Sequence, residues 1–227
     1  MELKLTTLTL NNTTAGMYSR IGTHDDVVFQ EIWGGYPFYI PTQEYEVQKG
    51  FNVIDIGGHI GTYTVYALMK GANVETFEPM KESYEVLLEN LKLNNLDSVV
   101  HNFGLWGKDC KKKMITSNYE TGSNSLLSNI FTDGGTTIVT LKEPNRYFDK
   151  YELIDILKVD CEGAEYEIFK TLTKENLNKV NRIVMETHLG FDKGKELLNY
   201  LDENGFSTNM REGLDGTAKT WSIRRGV

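Results

Sequence analysis

The chain has 227 residues, with 32 acidic side chains against 24 Lys or Arg, a formal net charge of -8 and a pI near 5.1. That length suits one domain with one large core, and the acidic balance argues against a phosphate-tracking surface, since nucleic-acid binders concentrate Lys and Arg. Cys110 and Cys161 show no zinc-like Cys/His spacing, and no stretch approaches the roughly 18 apolar residues of a membrane span, so a soluble, cytoplasmic protein is expected.

Residues 1–49 read as short strands and turns, a β-rich extension or lid ahead of a core at 50–227 within the same domain. Within the extension Val27 to Ile32 is β-prone, and Trp33-Gly34-Gly35-Tyr36-Pro37 reads as a loop whose Trp33 and Tyr36 could stack on an acceptor, with Tyr39 in the core. From Phe51 the pattern changes. Asn52 to Ile56 is the apolar run of a strand buried on both faces, and Val74 to Phe77 is a second strand. Between them Ile60, Thr64 and Leu68 share one helical face, and after Pro79 the positions Tyr84, Leu87, Leu88 and Leu91 recur at helical spacing. Further strands are predicted at Ser98 to Phe103, Ile154 to Val159 and Arg182 to Thr187, with a C-terminal pair at Phe206 to Met210 and Thr220 to Arg224. Such alternation predicts an α/β fold, a Rossmann-like, doubly wound and mostly parallel sheet. The polar stretch 110–140 predicts a hairpin or loop beside the ligand crevice, with Lys111-Lys112-Lys113 as a solvated turn between strands.

The strongest chemical signal is Asp55-Ile56-Gly57-Gly58-His59-Ile60-Gly61, directly after the first buried strand and opening a helix. Glycines there let backbone approach a ligand, and open parallel sheets bind ligands beyond the carboxyl ends of their strands. A dinucleotide loop reads GxGxxG and meets a pyrophosphate, which Asp55 would repel. Asp55 would instead suit the ammonium end of a methionine-derived cofactor. Glu78, at the end of the second strand and followed by Pro79, can accept hydrogen bonds from ribose hydroxyls. Together these residues point to an adenosine ligand, and Asp55 tilts the choice towards S-adenosylmethionine. The turn Asn102-Phe103-Gly104 could present amides to adenine, with Trp106 either near the adenine edge or in the core.

Three motifs carry a family resemblance: Val53-Ile54-Asp55-Ile56-Gly57-Gly58-His59-Ile60-Gly61, then Glu78-Pro79, then Asp155-Ile156-Leu157-Lys158-Val159-Asp160-Cys161-Glu162-Gly163-Ala164-Glu165. In that order, and with a helix ending in Glu89-Asn90-Leu91 to Asn94-Asn95, they resemble the FkbM family of S-adenosylmethionine-dependent methyltransferases over residues 50–190. The resemblance implies a class I methyltransferase fold and methyl transfer to a hydroxyl of a sugar, lipid or secondary metabolite. The family often carries Ala-Asn where this chain has Gly58-His59.

Methyl transfer needs nucleophile and methyl held in line, with proton removal added for a hydroxyl acceptor. The fourth strand ends in Asp160 and Glu162, the fifth in Glu186 and His188, and both open towards one crevice. His188 or Asp160 is expected to accept the proton, Glu186 and Glu162 to orient the acceptor, and Asp160 also to line the cofactor site. Helix capping is the plain structural role of these acids. They could also ligate Mg²⁺ or Ca²⁺ through oxygen, but spacing does not decide it and no metal is expected. Asn124, in Ser123-Asn124-Ser125, is expected to meet cofactor or acceptor, while His24 and His101 have no assigned role. A small-molecule or saccharide acceptor is expected and nucleic acid is not, for no Asn-Pro-Pro-Tyr segment is present. Two rivals stand beside this reading: an NAD-dependent oxidoreductase, which would need GxGxxG and a second nucleotide-binding half, and a non-catalytic adenosine-cofactor-binding protein.

Overall fold

The computed structural model describes residues 2–10, 13–34, 39–126, 135–188, 190–212 and 217–226. In chain order the elements are β1 (Leu3–Leu10), β2 (Thr13–Arg20), α1 (Asp25–Trp33), β3 (Asn52–Ile56), α2 (Thr62–Met69), β4 (Asn73–Phe77), α3 (Lys81–Leu93) and β5 (Val99–His101). There follow β6 (Gly104–Leu105), β7 (Cys110–Thr116), β8 (Gly135–Lys142), α4 (Asn145–Phe148), β9 (Ile154–Val159), α5 (Glu165–Thr171), α6 (Lys174–Asn178), β10 (Val180–Thr187), α7 (Gly190–Glu203), β11 (Phe206–Glu212) and β12 (Ala218–Arg224).

A seven-stranded sheet of order β11-β12-β10-β9-β3-β4-β5 organises the chain. β10, β9, β3, β4 and β5 run parallel, while β12 lies antiparallel between β10 and β11. The central strands are mostly apolar because both faces are covered, and the buried charges among them, Asp55 on β3 and Lys158 on β9, are paired. Ile54, Leu157 and Ile183 form one row across three strands within one apolar cluster, and Val53, Ile156 and Val184 belong to a second. Strand order reverses between β3 and β9, where a doubly wound sheet opens its ligand crevice.

The N-terminal region departs from its sequence reading. Val27 to Ile32 is helical, not extended. Asp25, Phe29, Ile32 and Trp33 are buried at helical spacing in α1, and Asp25 and Asp26 supply acids to its first turn, so packing and end charge outweigh the β-branched residues. The β1–β2 hairpin is tied to α3 by two asparagines one turn apart. Asn90 accepts from Tyr18 N (2.6 Å) and donates to Tyr18 O and Ile60 O, while Asn94 accepts from Gly16 N and donates to Gly16 O. These side-chain amides satisfy the edge of β2 as a neighbouring strand would.

Three further expectations shift. The buried face of α3 is Ser83, Val86, Leu87, Asn90 and Leu91, while Leu88 is exposed, because the helix must present Asn90 to the hairpin. The third strand is only Val99–His101; Gly104–Leu105 leaves the main sheet and pairs with β8. The stretch 110–140 does contain a hairpin, β7–β8, but Lys111, Lys112 and Lys113 lie on β7 rather than in a turn. Among the described residues no helix is long and apolar enough to cross a membrane.

Candidate active site

The carboxyl ends of β3, β4, β9 and β10 open into a crevice of about 810 Å³, within the range of pockets that hold small ligands. Gly57, His59, Glu78, Pro79, Gly104, Asn124, Asp160, Glu162, Glu186 and His188 all line it, so the structure brings most of the sequence-derived candidates together. Ile56, Phe77, Leu105, Met114 and Leu141 supply its apolar wall.

The glycine loop turns sharply because three positions exclude a side chain. A Cβ on Gly57 would stand 1.6 Å from the Asp160 carbonyl oxygen, one on Gly58 2.3 Å from Thr76 Cγ2, and one on Gly61 2.8 Å from Leu87 Cγ. These glycines therefore serve close packing of the loop against β9, β4 and α3, and Gly57 also lines the crevice. Gly57 and Gly58 both donate their amides to Phe77 O. At the loop's centre His59 adopts a left-handed φ of 48°, and its amide donates to Glu78 Oε2 (2.8 Å) while Met80 N donates to Oε1 (2.7 Å). Burial pushes the Glu78 carboxyl up to about 7 against these two bonds.

Asp55 does not reach the crevice. Its side chain is 0% exposed, accepts from Thr64 Oγ1 (2.7 Å) and forms an ion pair with Lys158 Nζ at 3.1 Å, directly across the β3–β9 register. Sealed beneath the loop, it is spent on a lysine and is not free for a ligand ammonium. Lys158 went unassigned in the sequence, yet it also donates to Gly57 O (2.6 Å) and lies 3.9 Å from Asp160 Oδ2. Burial works against its charge, but Asp55 and Asp160 prevail and raise its pKa above the usual lysine range.

Beyond β9 and β10 the acids converge. Tyr39 donates to Asp160 Oδ2 (2.6 Å), so this buried aromatic is both core and site. His188 Nδ1 lies 3.0 Å from Glu165 Oε1, and Nε2 lies 3.4 Å from Glu162 Oε1 and 3.9 Å from Asp160 Oδ1. Burial opposes charge on His188, but Glu162 and Glu165 outweigh it and hold the imidazole well above its usual pKa. That direction runs against the neutral histidine base expected from sequence, because the carboxylates around His188 favour its protonated form. Burial raises Asp160 too, but Lys158, His188 and the Tyr39 hydroxyl together hold it below the usual carboxylate range. Burial and the Asp160 charge raise Glu186, and burial raises Glu162 well above normal. One ligand atom from each of Asp160, Glu186 and His188 lies within 4.8 Å of the others, a spacing that could hold a divalent cation.

Other candidates are placed differently. Trp33 is buried in the core, its Nε1 donating to Thr62 O and its ring edge-on to Tyr66, so it offers no stacking surface. Tyr36 lies outside the described residues. Asn124 lines the crevice, but its amide accepts from Ser117 N and donates to Thr121 O, shaping the 117–126 wall. Trp106 is in the core with Lys112 Nζ 3.8 Å from its ring centroid. Sequence reasoning missed two crevice residues from distant segments, His24, paired with Glu120 at 2.6 Å, and Thr121.

With the geometry established, comparison with known proteins gives a consistent result. The methyltransferase FkbM domain family matches residues 55–208. The chain is 29% identical over 158 residues to hexuronic acid methyltransferase AglP of Haloferax volcanii, covering 69% of this chain and 63% of that protein. It is 23% identical over 157 residues to methyltransferase 1 of Beauveria bassiana, covering 59% of this chain and again 63% of the relative, so it spans less than two thirds of either one's length. Among solved structures, an rRNA methylase from Streptococcus thermophilus superposes with a TM-score of 0.50 at 11% identity over 85% of this chain and 95% of that one, a likeness of fold.

Proposed function

The chain belongs to the methyltransferase FkbM domain family, and we propose that it transfers the methyl group of S-adenosylmethionine to a hydroxyl of a saccharide or other small acceptor. The observation that carries this reading is the division of one crevice into two chemistries. At one side the glycine loop, Glu78, Pro79 and Gly104 stand against an apolar wall suited to an adenosine. At the other, Asp160, Glu162, Glu186 and His188 form a polar end suited to hydroxyls. Gly104 packs closely on the adenosine side, for a Cβ there would meet Leu141 Cδ2 at 2.9 Å and Pro79 at 3.4 Å. S-adenosylmethionine, when bound, supplies an electrophilic methyl carbon on a sulfonium.

The residues then divide the work. Glu78 takes the ribose hydroxyls, its carboxylate already oriented by the His59 and Met80 amides. Glu186 accepts the proton of the acceptor hydroxyl on its carboxylate, since an acid whose pKa is raised towards the working pH makes the better base. Asp160, fixed by Tyr39, positions that hydroxyl, and the His188 imidazolium offsets the gathered negative charge. Asp55 acts beneath the loop by holding Lys158. The same acids oppose a polyphosphate strand, which favours a saccharide over RNA. The relative named a hexuronic acid methyltransferase supports that choice.

Calorimetric titration with S-adenosylmethionine, S-adenosylhomocysteine and NAD tests the cofactor. Micromolar binding of the first two, lost in Glu78→Ala, is expected; preference for NAD or no binding would overturn the proposal. With a panel of neutral and acidic saccharides as acceptors, Glu186→Gln should lower kcat by about 10²–10⁴ while S-adenosylhomocysteine affinity holds. A rate within a few fold of wild type would remove Glu186 from the chemistry.

A further inference from the structure

The family match begins at residue 55, yet a cluster contributed by the segment before it reaches into the glycine loop. Arg20, at the end of β2, grips Asp25 of α1 bidentately: Nε donates to Oδ2 and Nη2 to Oδ1, each at 2.9 Å. The same Nη2 lies 2.9 Å from His59 Nε2. Asp25, 0% exposed, also accepts from Thr121 Oγ1 at 2.6 Å, so one carboxylate joins the hairpin to the opposite wall of the crevice.

A guanidinium has donors only, so of the three groups around His59 Nε2, Arg20 Nη2 at 2.9 Å, Thr121 Oγ1 at 3.2 Å and Asp25 Oδ1 at 3.4 Å, the nearest makes a hydrogen bond when Nε2 is the unprotonated, accepting nitrogen. The ring must then be neutral with its proton on Nδ1, a buried atom with no hydrogen-bond partner among the described residues. Burial and the neighbouring Arg20 agree with neutrality, lowering the His59 pKa to about 4 against the pull of Asp25. The ring contact also bears on the backbone. His59 is a non-glycine residue in left-handed conformation, which is sparsely populated and persists where surroundings hold it. That conformation aims its amide at Glu78.

We propose that Arg20 and Asp25 are positioning residues of the cofactor site, acting through His59: Arg20 fixes the Nδ1–H tautomer and the left-handed turn that delivers the His59 amide to Glu78. The N-terminal hairpin is by this account a working part of the site. The assignment of Glu78 to a cofactor rests on the function proposed above, whereas the tautomer does not.

Two measurements separate these. Long-range ¹H–¹⁵N spectra of the histidine rings in the full chain, with the His59 signals identified by their loss in His59→Gln, should show a single Nδ1–H tautomer at neutral pH. Arg20→Met should lose it, and so should Arg20→Lys, which keeps a charge beside Asp25 but not the forked geometry and guards against misfolding of the first variant. In both, the Kd for S-adenosylhomocysteine should rise roughly tenfold, the loss of one hydrogen bond to a charged group. An Nε2–H ring in the wild type, or an unchanged tautomer in Arg20→Lys, would overturn the proposal, as would an unchanged Kd in that variant where the wild type binds. A wild type that binds no S-adenosylhomocysteine sinks the cofactor reading instead, and the ring spectra still decide the clamp.

Discussion

Replacing Lys158 by Met tests the charge chain under the glycine loop. The Lys158 side chain is 5% exposed and its partner Asp55 is 0% exposed. Without the ammonium, the Asp55 carboxylate keeps only the Thr64 hydroxyl, and the Gly57 carbonyl loses its donor at 2.6 Å. Removing one partner of a buried pair leaves a charge without compensation and costs about 3–5 kcal/mol. At about 2–4 °C per kcal/mol for a chain of this size, Tm should fall by roughly 6–20 °C. Urea unfolding followed by far-ultraviolet circular dichroism reads the change as a midpoint shift at constant slope. The discriminating partner is Asp55→Asn/Lys158→Met, which leaves neither charge and should be more stable than Lys158→Met alone, with a coupling of up to about 3 kcal/mol. A Lys158→Met cost below about 1 kcal/mol would refute the argument, and so would a double variant whose losses simply add.

The glycine loop and its histidine give two further expectations. Gly57→Ala should cost about 4 kcal/mol or more, because its Cβ would meet immovable backbone at 1.6 Å. Gly61→Ala meets the Leu87 side chain at 2.8 Å rather than backbone, so it should cost less than Gly57→Ala but more than the about 1–2 kcal/mol of its left-handed φ alone; equal losses in urea unfolding would contradict the ranking. Burial depresses the His59 pKa from 6.5 to about 4, so as pH falls the unfolded chain takes up the proton first, and stability present above pH 6.5 is lost towards pH 4. His59→Asn, which tolerates the same φ, should flatten the unfolding free energy against pH in that window by up to roughly 3 kcal/mol; an unaltered slope would show that His59 is not the source.

What the sequence disclosed follows from how local each determinant is. β3, β9 and β10 were legible because strands buried on both faces are largely apolar runs, and the position of Glu78 because it directly follows another such run, β4. Asp55 was legible as an unusual carboxylate but not as a structural one, since its partner Lys158 stands on β9 and meets it only through the β3–β9 register. Asn90 and Asn94 appeared as a motif whose purpose depends on the path of a hairpin some seventy residues earlier. In α1 the helical spacing of Asp25, Phe29, Ile32 and Trp33 was present, but Asp25 does not read as a core position until Arg20 is beside it.

The same reasoning explains why two of the crevice histidines, His59 and His188, differ from a free imidazole, and in opposite directions. His188 faces Glu162 and Glu165, and their charge outweighs burial and favours its protonated form. His59 faces one carboxylate already gripped by Arg20, so burial wins and it stays neutral. A histidine's chemistry is thus set by whether nearby acids still have negative charge to share. At the polar end they do, which favours the protonated form of His188 and underlies the proposal that Glu186, a carboxylate of raised pKa, takes the acceptor's proton.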